Sequence, residues 1–298
     1  MDISREPHNP RVFIGMLVYN GEEFLREAID SIRSQTYTNW QMVLSDDVST
    51  DKSPEICEEY ANLDPRIRYV RQEKLGMIGN YKYLLDHAEG DLFMWAAQDD
   101  IWEPDFIRAC VDNLEKYPDR GVAFTTSAVI NSKGEHLGTY RTLPSLSGPA
   151  CGATTYRYLN QPEVLGKALC LYGIYTLPAA RTAWHYAPPH IQFAHDATYC
   201  LAAIARYGLI IDTRILFKKR LGGFSGPHEK HATNKRIDPR DNRIPIGGGR
   251  FTLFLSSVRK ALADTPYQLI GSLIVCKRAI PSALRHLATR NYKKLFFK

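Results

Sequence analysis

Asp91–Asp105 reads DLFMWAAQDDIWEPD. An unbroken apolar run from Leu92 to Ala97 stops at Gln98-Asp99-Asp100, giving the length and sharp boundary of a buried strand whose end carries charge. In an open parallel sheet, ligands sit in the crevice beyond the carboxyl ends of the strands, so paired acids there are placed to meet a ligand or its metal ion. Two adjacent carboxylates call for a compensating cation. Mg2+ or Mn2+ bridging to a diphosphate would supply it, because both ions take hard oxygen donors. The plainer alternative is that Asp99 or Asp100 opens the helix expected from Pro104.

Upstream, Arg11–Val18 (RVFIGMLV) is a second buried-strand pattern, ending in Tyr19-Asn20-Gly21. From Glu22 to Gln35 the apolar Leu25, Ala28, Ile29 and Ile32 recur at helical spacing, with Asn20 as the expected N-cap and Glu23 three residues later. Trp40–Leu44 repeats the strand pattern into Ser45-Asp46-Asp47, and Ser53-Pro54-Glu55 opens a helix to about Asn62. Arg66–Val70 reads as a strand, followed by a loop holding Gly76 and Gly79 and a short helix from Tyr81 to His87. Downstream come a helix from Pro104 to Tyr117, a strand from Val122 to Ile130 and a hairpin turn at Asn131–Gly134. Strands alternating with helices predict an α/β fold with a mostly parallel sheet and right-handed crossovers.

Beyond Gly138 the pattern loosens. Leu143–Thr155, rich in Pro, Ser and Gly, is expected to be a loop, Cys170–Leu177 a strand, Ala197–Tyr207 a helix and Leu209–Phe217 a strand returning to the sheet. Leu221–Arg250 is glycine-rich and basic and predicts a flexible segment, with helices at Phe251–Ala263 and Tyr267–Leu295, the second broken at Pro281. No internal repeat is visible.

Composition bounds the function. The 298 residues suit one large α/β domain with an appendage, and 44% hydrophobic with 23% charged content is ordinary for a folded protein. No run reaches the roughly 18 apolar residues of a membrane span, and MDISREPHNP lacks an apolar signal core, so a cytoplasmic protein is expected. The six cysteines include no CxxC pair and read as free thiols. From Arg214 onward lie 19 of the 38 Lys and Arg but only 4 of the 32 Asp and Glu. An acidic body with a basic tail points to an anionic partner for the tail. Leu269, Leu273 and Ile274 set against Lys277, Arg278, Arg285, Arg290 and Lys293 fit either an interfacial helix, peripheral on the inner face of the cytoplasmic membrane, or a helix packed on its own domain. Aromatics in the tail are few and not interleaved with the basic residues, so nucleic acid is not an expected partner.

Three strands end in polar clusters on one expected edge: Tyr19-Asn20, Asp46-Asp47 and Asp99-Asp100. A ring at Tyr19 can stack on a base, a carboxylate at Asp46 or Asp47 can accept from base N–H or ribose hydroxyls, and Asp99 or Asp100 can hold a metal on a diphosphate. Neither GxGxxG nor GxxxxGK[ST] is present, which weighs against dinucleotide oxidoreductases and P-loop enzymes.

Together, RVFIGMLVYNGEEFLREAIDSIRSQTYTNWQMVLSDDVSTDKSPEICEEY and AEGDLFMWAAQDDIWEPDF closely resemble a family 2 glycosyltransferase of the GT-A fold. The resemblance is strong over Arg11–Tyr117, looser to about Gly223, and absent beyond Arg250. It implies a transferase domain over residues 1–223, with a nucleotide-sugar-binding half at 11–130 and an acceptor and catalytic-base half at 131–223, followed by a basic extension at 224–298. It also implies an inverting enzyme that moves a sugar from a nucleotide-diphosphate sugar, UDP or dTDP, to a glycan or lipid-linked acceptor in bacterial surface polysaccharide synthesis. A non-catalytic sugar-nucleotide-binding or scaffold protein on the same fold is the alternative.

Residue by residue, the resemblance assigns Tyr19, Asn20, Asp46 and Asp47 to the nucleoside, counts Val18 and Asn80 among the nucleotide-sugar-binding residues, and sets Asp100 near ribose or donor sugar. Gln98, Asp99 and Asp100 become the acidic motif, with Asp99 on Mn2+ or Mg2+. Ala97 stands where the family often has an acid. Asp196, in Phe193-Ala194-His195-Asp196, matches the base that deprotonates the acceptor hydroxyl, with His195 replacing a glutamate. Arg220 stands about where the family often carries a histidine, and it and Lys219 are expected diphosphate contacts rather than metal ligands.

Overall fold

The computed structural model describes residues 9–161, 166–186, 195–222 and 256–268. Among the described residues nine strands form one sheet: β1 (Val12–Val18), β2 (Trp40–Asp46), β3 (Ile67–Arg71), β4 (Leu92–Ala96), β5 (Ile101–Trp102), β6 (Val122–Ile130), β7 (His136–Thr139), β8 (Ile174–Thr176) and β9 (Ile210–Arg220). Their order is β3-β2-β1-β4-β8-β6-β9-β5, with β7 paired to β6 off this path. The first four neighbours are parallel, as the alternating pattern predicts. β8 runs antiparallel between β4 and β6, β6 and β9 are parallel, and the two-residue β5 pairs antiparallel with β9.

The helices of the described residues include α1 (Leu25–Arg33), α2 (Ser53–Leu63), α3 (Gly76–Asp86), α4 (Phe106–Lys116), α5 (Gly152–Asn160), α6 (Leu177–Tyr186) and α7 (His195–Tyr207). The face of α1 that carries Leu25, Ala28, Ile29 and Ile32 is buried, as its spacing predicts. β4 is buried along its whole length, so its continuous apolar run marks a strand covered on both faces. At Gly15 an added Cβ would come 3.1 Å from Leu84 Cβ, so glycine allows α3 to lie close on β1.

Several local expectations are corrected. Asn20 does not cap α1, whose N-cap is Phe24; it adopts φ 46° and its Oδ1 accepts from Thr50 N–H at 2.8 Å, clipping the loop after β1 to the loop after β2. Gly76 and Gly79 are not in a loop, because α3 starts at Gly76, where Asp47 receives its first N–H groups. The helix after Pro104 begins at Phe106 with Asp105 at its N-cap, so neither Asp99 nor Asp100 serves as that cap. Leu143–Thr155 holds a 3-10 turn at Leu143–Leu146 and the start of α5. Cys170–Leu177 divides into the end of a 3-10 segment, Lys167–Tyr172, and β8.

The five described cysteines are free thiols. Among the described residues no helix is long and apolar enough to cross a membrane. The flexible segment expected at Leu221–Arg250 and the helix expected at Tyr267–Leu295 lie almost wholly outside the described residues. Residues 256–268 are docked on the body. Arg206 Nη1 donates to Ala261 C=O at 2.7 Å, and Tyr186 Oη donates to Asp264 at 2.8 Å.

Candidate active site

The loops after β1, β2 and β4 meet at one edge of the sheet, as the parallel order requires. They open on a cleft of about 430 Å³ whose lining includes Val18, Tyr19, Asp47, Asn80, Gln98, Asp99, Asp196 and Lys219. Eight predicted residues, drawn from positions 18 to 219, thus share one wall-to-wall space. Asn20 lines a smaller adjoining recess with Gln98 and Asp99. Asp46, Asp100 and Arg220 do not line the cleft.

The three that fall outside it are held by other partners. Asp46 is fully buried; Oδ1 accepts from Ser49 N–H at 3.0 Å and Oδ2 from Tyr69 Oη at 3.2 Å, with Arg71 Nη1 at 3.5 Å. Its neighbour Asp47 faces the cleft and takes the amides of Leu75 and Gly76 at 2.6 and 3.2 Å, a carboxylate at the positive end of α3. Val48 follows at φ 66°, a strained conformation for a β-branched residue, as found where a loop is shaped for function.

Arg220 is 2% exposed. Its Nε donates to Asp99 C=O at 2.9 Å, Nη1 to the carbonyls of Asn131 and Ser132 at 3.1 and 3.0 Å, and Nη2 to Glu27, while the guanidinium lies over the Phe24 ring. It ties α1, the end of β4 and the β6–β7 turn together. Lys219, the preceding residue on β9, points into the cleft instead. Its Nζ is 3.0 Å from Asp100 Oδ2, and Arg220 N–H donates to Asp100 Oδ1 at 2.9 Å. β5 sets this up: Ile101 pairs with Lys218, so Asp100 is held beside the end of β9. Burial pushes the Asp100 carboxyl up to about 6 against the pull of Lys219. Burial pulls the Lys219 ammonium down, but Asp100 and Asp99 outweigh it and the net shift is up.

Gln98 turns out to be a clamp, its amide paired with the main chain of Tyr19. Asn80 Nδ2 donates to Ser45 C=O at 2.8 Å, fixing α3 to the end of β2. The far wall is Tyr81, Tyr172, His195 and Asp196. Burial pushes both phenols well above their ordinary range, so they stay protonated. His195 is 9% exposed, its Nδ1 lies 4.0 Å from Asp196 Oδ1, and burial against Tyr81, Trp184 and Tyr199 holds its pKa down. Asp196, in the first turn of α7, keeps a 54% exposed side chain at the cleft. Sequence reasoning missed Tyr81 and Tyr172; each sits in an unremarkable helical or 3-10 stretch and reaches the cleft only through the packing of α3 and the segment before β8.

The side chains around Asp99 offer a resident Mn2+ or Mg2+ few protein ligands, where such ions are commonly held by one or two carboxylates together with substrate phosphates and water. Such ions take about six oxygen donors. Here Asp100 is committed to Lys219, residue 97 is alanine, and among the described residues no three His, Cys, Asp or Glu side chains gather as a ligand set.

Comparison with known proteins agrees with this architecture. An uncharacterized glycosyltransferase of Rickettsia typhi is 32% identical over 283 residues, covering 92% of this chain and 81% of the relative. The chain spans half the length or less of three other curated relatives that it matches. Among solved structures, Staphylococcus aureus TarS 1-349 in complex with UDP-GlcNAc superposes with a TM-score of 0.64 at 15% identity, over 97% of this chain and 76% of that one. The mannosyltransferase PcManGT from Pyrobaculum calidifontis, in complex with GDP-Man and Mn2+, gives 0.53 at 19% identity, over 98% and 82%. At these identities the likeness is one of fold. The model of Glycosyl transferase family 2 matches residues 13–171, and the chain, with its GT-A architecture, belongs to that family.

Proposed function

We propose that this protein transfers a sugar from a nucleoside-diphosphate sugar to a hydroxyl acceptor, with inversion at the anomeric carbon. The observation that carries the reading is the convergence of Tyr19, Asp47, Asp99, Asp196 and Lys219 on one cleft at the carboxyl edge of the sheet. Tyr19, 39% exposed at the mouth, offers a face for the base, and Asp47 offers oxygens for base N–H or ribose hydroxyls. The UDP-GlcNAc of TarS and the GDP-Man of PcManGT support a nucleotide-sugar donor for this fold.

Asp196 acts as general base. Its carboxylate takes the proton of the acceptor hydroxyl as that oxygen attacks the anomeric carbon, and the sugar–diphosphate bond breaks in the same displacement. Lys219 faces the negative charge that collects on the departing diphosphate. The tyrosines and His195 narrow the space around the sugar and exclude water. The transferase unit is residues 1–223. The basic residues that follow support an acceptor presented at an anionic surface, such as a lipid-linked glycan.

The test is nucleotide release: the purified chain is incubated with UDP-, dTDP- and GDP-sugars and free nucleoside diphosphate is measured. Release from one donor class, above a boiled control, is the expected result. No release from any donor, with the nucleotides nonetheless bound, would favour the non-catalytic alternative.

A further inference from the structure

The proposed transfer places a growing negative charge on the diphosphate, and the cleft has to offset it. We infer that Lys219 supplies that positive charge in place of a divalent cation, so that donor binding and transfer proceed without metal. This rests on the donor reading above and extends it to the chemistry of the leaving group.

Placement is the first support. Lys219 extends from the end of β9 into the same cleft as Asp99 and Asp196, with its side chain 13% exposed. Its Nζ is anchored 3.0 Å from Asp100 Oδ2 and lies 5.4 Å from the centre of the Tyr172 ring. An ammonium has three donors. One satisfies Asp100, which leaves N–H groups to turn toward a diphosphate without breaking the anchor.

The second support is the competition a dication would meet. A cation on Asp99 would share the cleft with the Lys219 ammonium, and like charges in one cleft repel. Recruiting Asp100 as a second ligand would strip Lys219 of its partner, while the backbone N–H of Arg220 holds the other oxygen of Asp100 at 2.9 Å. Ala97 supplies no ligand.

The third is elimination of the other basic candidate. Arg220 has its guanidinium on Asp99 C=O, Asn131 C=O, Ser132 C=O and Glu27, and it does not line the cleft. Among the described residues that line the cleft, Lys219 is the one lysine or arginine.

Calorimetric titration of the full chain with UDP, dTDP and GDP, in EDTA and again in Mn2+, tests the inference. The expected result is one nucleotide whose Kd is the same in both buffers. Lys219→Gln should then weaken that nucleotide about ten- to a hundredfold, the scale of a lost charge-assisted contact, and Lys219→Arg should recover most of it. Affinity seen only with Mn2+ would overturn the inference and leave the glycosyltransferase reading intact. Metal-free affinity that Lys219→Gln leaves unchanged would overturn the role of Lys219. No nucleotide bound in either buffer would remove the donor reading itself and this inference with it. Should Lys219→Gln fail to fold, the comparison of the two buffers on the unmodified protein still decides whether metal is needed.

Discussion

The side-chain amide of Gln98 pairs with the main chain of Tyr19 in both directions: Oε1 accepts from Tyr19 N–H at 2.8 Å, and Nε2 donates to Tyr19 C=O at 2.9 Å. One side chain thus continues the sheet past the ends of β1 and β4 and holds the aromatic ring of Tyr19 at the mouth of the cleft. Gly21 is part of the same fit, because a Cβ there would fall 2.4 Å from Gln98 Oε1.

Gln98→Ala should therefore lower stability by about 1–3 kcal/mol, since it leaves two partly buried main-chain groups unpaired. The measurement is a urea titration, with the midpoint falling and the slope unchanged. Nucleotide affinity should fall as well, because Tyr19 is no longer fixed. An unaltered midpoint would show that the clamp is dispensable.

Arg220→Ala should act on stability. Glu27 is half exposed and regains water, so the loss comes mainly from the carbonyls of Asp99, Asn131 and Ser132, at about 1 kcal/mol each and roughly 3 kcal/mol together. Thermal or urea unfolding checks this. A variant as stable as the parent would contradict the assignment of Arg220 as a structural tie.

Asp196→Asn should reduce turnover by about a hundredfold or more, the usual contribution of a general base, while nucleotide affinity is kept. Steady-state kinetics with the donor found active, alongside titration of the nucleotide product, separates the two effects. Turnover within a few-fold of the parent would remove Asp196 from the chemistry.

His195 gives a pH dependence. Burial lowers its pKa, so the folded protein favours the neutral ring. Below the unfolded value of about 6.5, the unfolded chain binds a proton that the folded chain does not, so this contribution is complete above that pH and is lost as pH falls through the folded value. His195→Gln should therefore lose less stability than the parent as urea titrations are moved from about pH 7 to about pH 5. Parallel pH profiles would contradict the assignment.

Much of this fold is legible from apolar runs. β1, β2 and β4 announce themselves because each is buried and ends in polar residues, and the site edge follows from their parallel order. What stays hidden depends on side chains that meet across long stretches of chain. Asn20 has the look of an N-cap, yet its partner is Thr50 in another loop. Gly76 reads as a loop residue because nothing local reveals that Asp47 receives the start of α3. The two-residue β5 is too short for any periodicity, although it is what holds Asp100 beside Lys219. Lys219 and Arg220 are equivalent in sequence, and only the alternation along β9 sends one into the cleft and the other into the body.

On the proposed reading, the cleft at the carboxyl edge of β1, β2 and β4 binds a nucleoside diphosphate. Thermal-shift screening of the full chain against UDP, GDP, dTDP and CMP tests it most directly. Selective binding to the folded state raises the midpoint by mass action, about 2.7 kcal/mol of added stability at a hundredfold excess over Kd. A shift with one base, diminished in Gln98→Ala, is the expected result. A folded sample whose midpoint is moved by none of the four would contradict it.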